Sequence, residues 1–190
     1  MNKFRRSLLS VFANNKKINF VRFLVATGNQ YIKTGLVGGR YVIEFGAQAT
    51  NITDNGVLPI GCGDEFYIFF NTVNSTAFKT GIDGQQSTTN TPLEYHTYRT
   101  DGYSFYIDGV KKITLGLAGN SGELWLFKSY SYVNRPSTLK MSYCKIYDMN
   151  TNELIRDYKP AIDENGRAGM YDTVAGTFTY SNVGEFEYEE

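Results

Sequence analysis

The side chains best suited to chemistry are few and scattered. Glu185, Glu187 and Glu189 alternate with Phe186 and Tyr188, a spacing that sets acids on one face of a strand. Glycoside hydrolysis requires two carboxylates at a fixed separation about the scissile bond. These acids, however, belong to the last stretch of the sequence. A terminal edge strand with Phe186 and Tyr188 turned inward and its charges outward explains them through protection of that edge. His96 is the one histidine, which excludes a multi-His metal site. The run Tyr95-His-Thr-Tyr-Arg99 reads as a strand that supplies His96 with neither a nucleophile nor an orienting acid. Cys62 and Cys144 lack CxxC or Cys/His spacing and read as buried free thiols, although spacing alone leaves a disulfide open. Gly61-Cys62-Gly63 has no helix behind it to make a phosphate loop, so a bulge or tight bend is expected there. Asp54-Asn55 and Asp163-Glu164-Asn165 offer oxygens to calcium without the regular spacing of a calcium loop, and no other cofactor is indicated.

Glycan binding asks for aromatic faces beside a few hydrogen-bonding groups. Residues 125–135 offer that mixture as they leave a strand. Trp125, between Leu124 and Leu126, is expected in the core, which leaves Tyr130, Tyr132 and Arg135 as the candidate glycan contacts.

The elements that must position these groups are strands. Aromatics make up 15% of the 190 residues, with 15 Tyr and 13 Phe, and no stretch repeats at helical spacing for more than two turns. Short alternating runs separated by turn residues recur from residue 18 onward, the spacing of a sandwich or barrel. Asp108-Gly109 sits between two such runs and predicts a tight β-hairpin turn with positive φ. Asn165-Gly166 predicts a second turn, after which 168–171 re-enters the sheet. Residues 50–56 and 83–91 are rich in Asn, Thr, Gln and Gly and read as surface loops. Residues 1–17 form a separate basic arm carrying Phe4, Leu8 and Phe12 on one side with Arg5, Arg6, Lys16 and Lys17. The sequence thus divides into an arm, 1–17, and a sandwich domain, 18–190.

Net charge is zero, from 19 basic and 19 acidic residues, which gives no field to attract nucleic acid. No apolar run of about 18 residues is present for a membrane span. The start of the sequence makes a poor signal peptide, because its apolar stretch is short, contains serine and lacks a small-residue cleavage pattern.

Several segments together resemble one family. Ala26-Thr-Gly-Asn-Gln-Tyr-Ile-Lys-Thr-Gly-Leu36, Tyr106-Ile-Asp-Gly-Val110, Tyr143-Cys-Lys-Ile-Tyr-Asp148, Leu154-Ile-Arg-Asp-Tyr-Lys-Pro160 and Gly169-Met-Tyr-Asp-Thr-Val-Ala-Gly-Thr-Phe178 are similar, in this order, to motifs of concanavalin A-like, laminin-G-like domains of phage and gut-bacterial proteins. The resemblance implies an all-β, two-sheet antiparallel jelly-roll sandwich whose first and last strands lie close together. Such domains serve as virion proteins, surface adhesins and carbohydrate-binding modules, and fold alone does not choose among these. The expected role is a non-catalytic phage virion structural protein, capsid-decorating or head-fibre-associated. It would contact other virion proteins through the arm and cell-surface glycans through the jelly roll. The alternative is a carbohydrate-binding module (adhesin) at the bacterial cell surface, and a glycoside hydrolase ranks third. Deleting residues 1–17 is expected to leave the thermal midpoint nearly unchanged while abolishing incorporation into particles or oligomers. A truncated protein that unfolds, or that still incorporates, would show that the arm has been misread.

Overall fold

The computed structural model describes residues 18–52, 56–63, 65–80, 84–101, 103–114, 120–129 and 137–190. Two antiparallel sheets pack face to face, and no helix occurs among the described residues. The larger sheet contains β1 (Asn19–Phe20), β2 (Phe23–Gly28), β4 (Tyr41–Ala49), β9 (His96–Thr100), β10 (Ser104–Ile107), β11 (Val110–Thr114), β13 (Ser137–Asp148), β14 (Leu154–Ile162), β15 (Ala168–Asp172), β16 (Thr177–Thr179) and β17 (Glu187–Glu189). The smaller contains β3 (Ile32–Gly39), β5 (Val57–Cys62), β6 (Phe66–Thr72), β7 (Ser75–Thr80), β8 (Gly84–Thr89) and β12 (Asn120–Leu126), ordered β3-β12-β5-β6-β7-β8. The all-β jelly-roll sandwich expected from the strand pattern is the fold observed.

The large sheet is organised by β13. One edge of this strand pairs with β4 from Leu139↔Ala49 to Asp148↔Tyr41. Its other edge pairs with β2 over Ser137–Met141 and with β14 over Cys144–Tyr147, so β2 and β14 follow one another along the same side. The changeover coincides with a bulge between Met141 and Tyr143. The extra residue, Ser142, resets the alternation so that Leu139, Met141, Cys144 and Ile146 all face the core, each fully buried. A straight strand would have pushed either the first or the second pair into solvent.

Between the sheets lies an aromatic stack. Tyr98 is stacked on Phe45 at 5.1 Å and on Phe105 at 6.1 Å, and Phe105 stacks on Phe78 of the facing sheet at 5.2 Å. Burial raises the Tyr98 hydroxyl far above its ordinary pKa, with the nearby Asp108 charge adding to the effect. Cys62 and Cys144 are both buried free thiols in this core, as their apolar surroundings suggested. Burial likewise pushes the Cys144 thiol well up.

The first and last of the described strands share the large sheet: β1 pairs with β14 and β17 with β2. Gln30 closes this join. Its Oε1 accepts the Gly28 N–H at 2.9 Å while its Nε2 donates to the Glu185 carbonyl at 2.9 Å. First and last strands therefore lie together, as the jelly-roll resemblance implied.

Three expectations need correction. Within residues 83–91, Gly84–Thr89 forms β8, paired along its length with β7. Its side chains are mostly exposed and polar, because an edge strand can satisfy its backbone on one side without apolar alternation. Tyr188 lies opposite the core residue Leu24 and so on the inner face, as expected, but is 44% exposed rather than buried. Phe186, two residues earlier, is buried with its ring packed on Phe127 at 4.8 Å, whereas all three residues of β17 are exposed. Trp125 is buried, but outside the core. Leu124 and Leu126 take the inward positions, and Trp125 lies on the outer face under Tyr31, stacked at 4.5 Å. The expected loop at 50–56 is described only in part, since 53–55 lie outside the described residues.

Both predicted turns are present. Asp108 and Gly109 have φ of 51° and 74° in the β10–β11 hairpin, and Gly166 has φ of 80° between β14 and β15. A Cβ on Gly109 would meet nothing within 4 Å, so the cost of a side chain there is backbone strain alone. Gly109→Val should lower stability by roughly 1 kcal/mol or more in urea unfolding. An unchanged midpoint would mean that the turn tolerates a β-branched residue and that its φ has been misassigned.

Candidate functional site

The outer face of the large sheet carries a row of side chains set by strand register. Tyr106 of β10 is opposite Arg99 of β9, Arg99 opposite Glu44 of β4, Glu44 opposite Lys145 of β13, and Lys145 opposite Asp157 of β14. Residues directly opposite one another share a face, so the five point the same way. The row crosses four inter-strand gaps, roughly 19 Å.

Two hollows of about 330 Å³ each lie along this row and meet at Glu44 and Tyr143. One is walled by Phe20, Val21 and Pro160 and carries Lys145, Lys159, Asp157 and Ser142. The other carries Arg99, Tyr106 and Thr97. Each falls at the small end of the size range for small-ligand sites.

Gly46 makes room for the junction. A Cβ at this position would lie 2.1 Å from the Tyr95 hydroxyl, 2.5 Å from Ser142 Oγ and 2.9 Å from the Tyr143 ring. Those three side chains therefore meet over bare backbone, with Tyr95 Oη and Ser142 Oγ hydrogen-bonded at 2.8 Å. The Tyr143 hydroxyl donates to Glu44 Oε1 at 3.1 Å. Burial raises the Tyr143 pKa well above its ordinary value, and the Glu44 charge raises it further, so the phenol remains a donor.

Tyr106 is held at both ends. Its hydroxyl donates to Asp101 Oδ2 at 2.5 Å, and the Arg99 guanidinium lies 5.7 Å from its ring centroid. The bond to Asp101 raises the Tyr106 pKa. Burial works against ionisation of Asp101, but the bonds from Tyr106 and from the Tyr103 and Ser104 N–H groups outweigh it and hold the carboxyl below its usual range. Phe20, on the wall of the first hollow, is 55% exposed and makes an edge contact with Tyr171 at 6.1 Å. The cleft thus has aromatic surface in Tyr106 at one end of the row and in Phe20 on the wall of the other hollow, with mixed donors and acceptors beside them, the chemistry that a sugar ring requires.

The residues singled out from sequence lie elsewhere. Tyr130, Tyr132 and Arg135, the candidate glycan contacts, and the arm residues Phe4, Arg5, Arg6, Leu8, Phe12, Lys16 and Lys17 lie outside the described residues, as does Asp54-Asn55. Asp163 uses its carboxylate locally: Oδ1 accepts the Asn165 and Arg167 N–H groups, and Oδ2 accepts the Tyr180 hydroxyl at 2.7 Å. Among the described residues no three His, Cys, Asp or Glu side chains cluster as metal ligands would. His96 does have an acid partner, which the strand reading did not foresee. Its Nδ1 lies 2.6 Å from Asp108 Oδ2 and ties the start of β9 to the hairpin turn, while its Nε2 is buried away from any substrate. Glu187 and Glu189 are exposed on β17, and Glu189 pairs with Lys140 at 2.9 Å.

An antiparallel sandwich with an aromatic-lined cleft across one sheet is the class that these observations define. No protein-family model matches the sequence, and no curated protein matches it. Eight chains of solved structure match. One is a Bacteroides ovatus protein provisionally described as carbohydrate binding, with a TM-score of 0.63 and 14% identity over 90% of this chain and 61% of that one. The chain therefore spans about three-fifths of that protein's length, and at this identity the likeness is one of fold.

Tyr106→Phe tests the anchoring of the platform. Losing the phenol removes a hydrogen bond that holds Asp101 ionised, so the Asp101 carboxyl should titrate at higher pH, as read by carboxyl-carbon NMR. An unmoved titration would show that the bond does not form in solution.

Proposed function

We propose that this chain is a non-catalytic carbohydrate-binding module that holds its glycan in the cleft on the outer face of the large sheet. The observation that carries the reading is the cleft itself, where Tyr106 begins a row of alternating charges in register, Phe20 walls the hollow beside its other half, and Tyr143 bridges to Glu44. The carbohydrate-binding description of the Bacteroides ovatus protein of the same fold supports it.

Binding rather than hydrolysis is favoured by the state of the two carboxylates. Glu44 and Asp157 stand two strands apart with Lys145 between them in register. Asp157 Oδ2 accepts the Thr173 hydroxyl at 2.7 Å and Oδ1 is buried, so Asp157 is poorly placed to give a proton to a leaving group. The virion role, ranked first from sequence, gains nothing from the cleft or from the fold likeness. Those observations move the alternative, a carbohydrate-binding module at the bacterial surface, ahead of it.

Stacking on an aromatic ring contributes about 1 kcal/mol, so removing both rings together should weaken binding by roughly tenfold or more. The double variant Phe20→Ala, Tyr106→Ala should show this loss against whichever oligosaccharide of a panel the wild type retains in affinity electrophoresis. No new reducing ends should appear on prolonged incubation. Undiminished binding by the variant would remove the cleft from consideration, and released sugar would make the protein an enzyme.

A further inference from the structure

On the reading that this cleft holds a glycan, we infer that it is built for uncharged sugars, and that Glu44 sets the choice. Glu44 lies between two cations, with Arg99 on one neighbouring strand and Lys145 on the other, both opposite it in register. Among the described residues no ion pair within 4.0 Å joins it to either. The Tyr143 hydroxyl occupies Glu44 Oε1 instead, which holds the carboxylate in the middle of the row and leaves Oε2 to accept from a ligand. The other charges of the cleft offset one another, because Lys159 Nζ lies 3.6 Å from buried Asp157.

This spacing discriminates between ligand groups. A sugar carboxylate drawn to Lys145 or Arg99 comes within about one strand spacing of Glu44, where repulsion is comparable with the attraction and opposite in sign. A hydroxyl meets no such conflict, since it donates to Glu44 while accepting from Lys145 or Arg99. Glu44 lines both hollows, so the cleft as a whole holds three cations, Arg99, Lys145 and Lys159, against two anions, Glu44 and Asp157; it is the place of Glu44 between Arg99 and Lys145, not a charge balance, that works against an acidic group.

The test is calorimetric titration of the full chain with two probe sets: neutral cello-, xylo- and manno-oligosaccharides, and oligogalacturonates with alginate oligomers. The wild type should bind at least one neutral probe about tenfold or more tightly than any uronate. Glu44→Gln should weaken that neutral probe by about tenfold and narrow or reverse the gap, because the two cations then act without opposition. Lys145→Gln, which leaves Glu44 in place, should weaken the neutral probe and keep uronates excluded, and thermal midpoints confirm that each variant is folded. A wild type that prefers uronates, or a Glu44→Gln variant that weakens both sets alike, overturns the inference; if Tyr106→Ala still weakens binding, the carbohydrate reading survives. If neither set binds, or if Tyr106→Ala and Glu44→Gln both leave binding intact, the reading of the cleft falls and the inference with it.

Discussion

The bulge at Ser142 in the central strand β13 is the constraint on which the remaining structure depends. Twelve residues must present an apolar face to one core while the strand exchanges partners along one edge, from β2 to β14. Without the extra residue, either Leu139 and Met141 or Cys144 and Ile146 would face solvent, at a cost of several kcal/mol for burial lost. The same displacement brings Ser142 and Tyr143 together over Gly46. The core's demand for phase and the shape of the cleft floor therefore have one cause.

The cleft is preorganised by bonds that serve other purposes as well. Tyr106 is fixed through Asp101, whose Oδ1 also accepts the Tyr103 and Ser104 N–H groups at the start of β10. Tyr143 is fixed through Glu44, and Tyr95 is wedged between Ser142 and Phe23. Rings already locked by packing lose little freedom when a ligand arrives. Phe20 belongs to the short strand β1, which is held beside the cleft by pairing with β14 at Ala161 and by the Val21 N–H donated to the Pro160 carbonyl at 3.1 Å.

Much of the fold was legible in the sequence for local reasons. Asp108-Gly109 and Asn165-Gly166 require positive φ, and alternation such as Cys144-Lys145-Ile146 marks a face. β8 was missed because Gln85, Gln86, Ser87, Thr88 and Thr89 have no apolar phase, and only the pairing with β7 makes them a strand. The position of Trp125 was misread because its burial depends on Tyr31, which belongs to another strand's approach and is invisible in the local pattern. The cleft was missed for a related reason. Glu44, Arg99 and Lys145 each stand between two buried neighbours, which marks them as outward-facing. That they form one row follows from a strand order, β9-β4-β13-β14, that no local signal specifies.

The central claim is that ligand enters the outer face of the large sheet rather than the aromatic patch of Tyr31, Lys33 and Trp125 on the smaller one. Chemical-shift mapping of the isotope-labelled chain during titration with a neutral oligosaccharide that it binds tests this most directly. Saturable shifts should centre on Glu44, Arg99, Tyr106, Tyr143 and Lys145, with Trp125 Nε1–H unmoved. Shifts centred on Trp125 and Tyr31 with the β4–β13 resonances unchanged would contradict it.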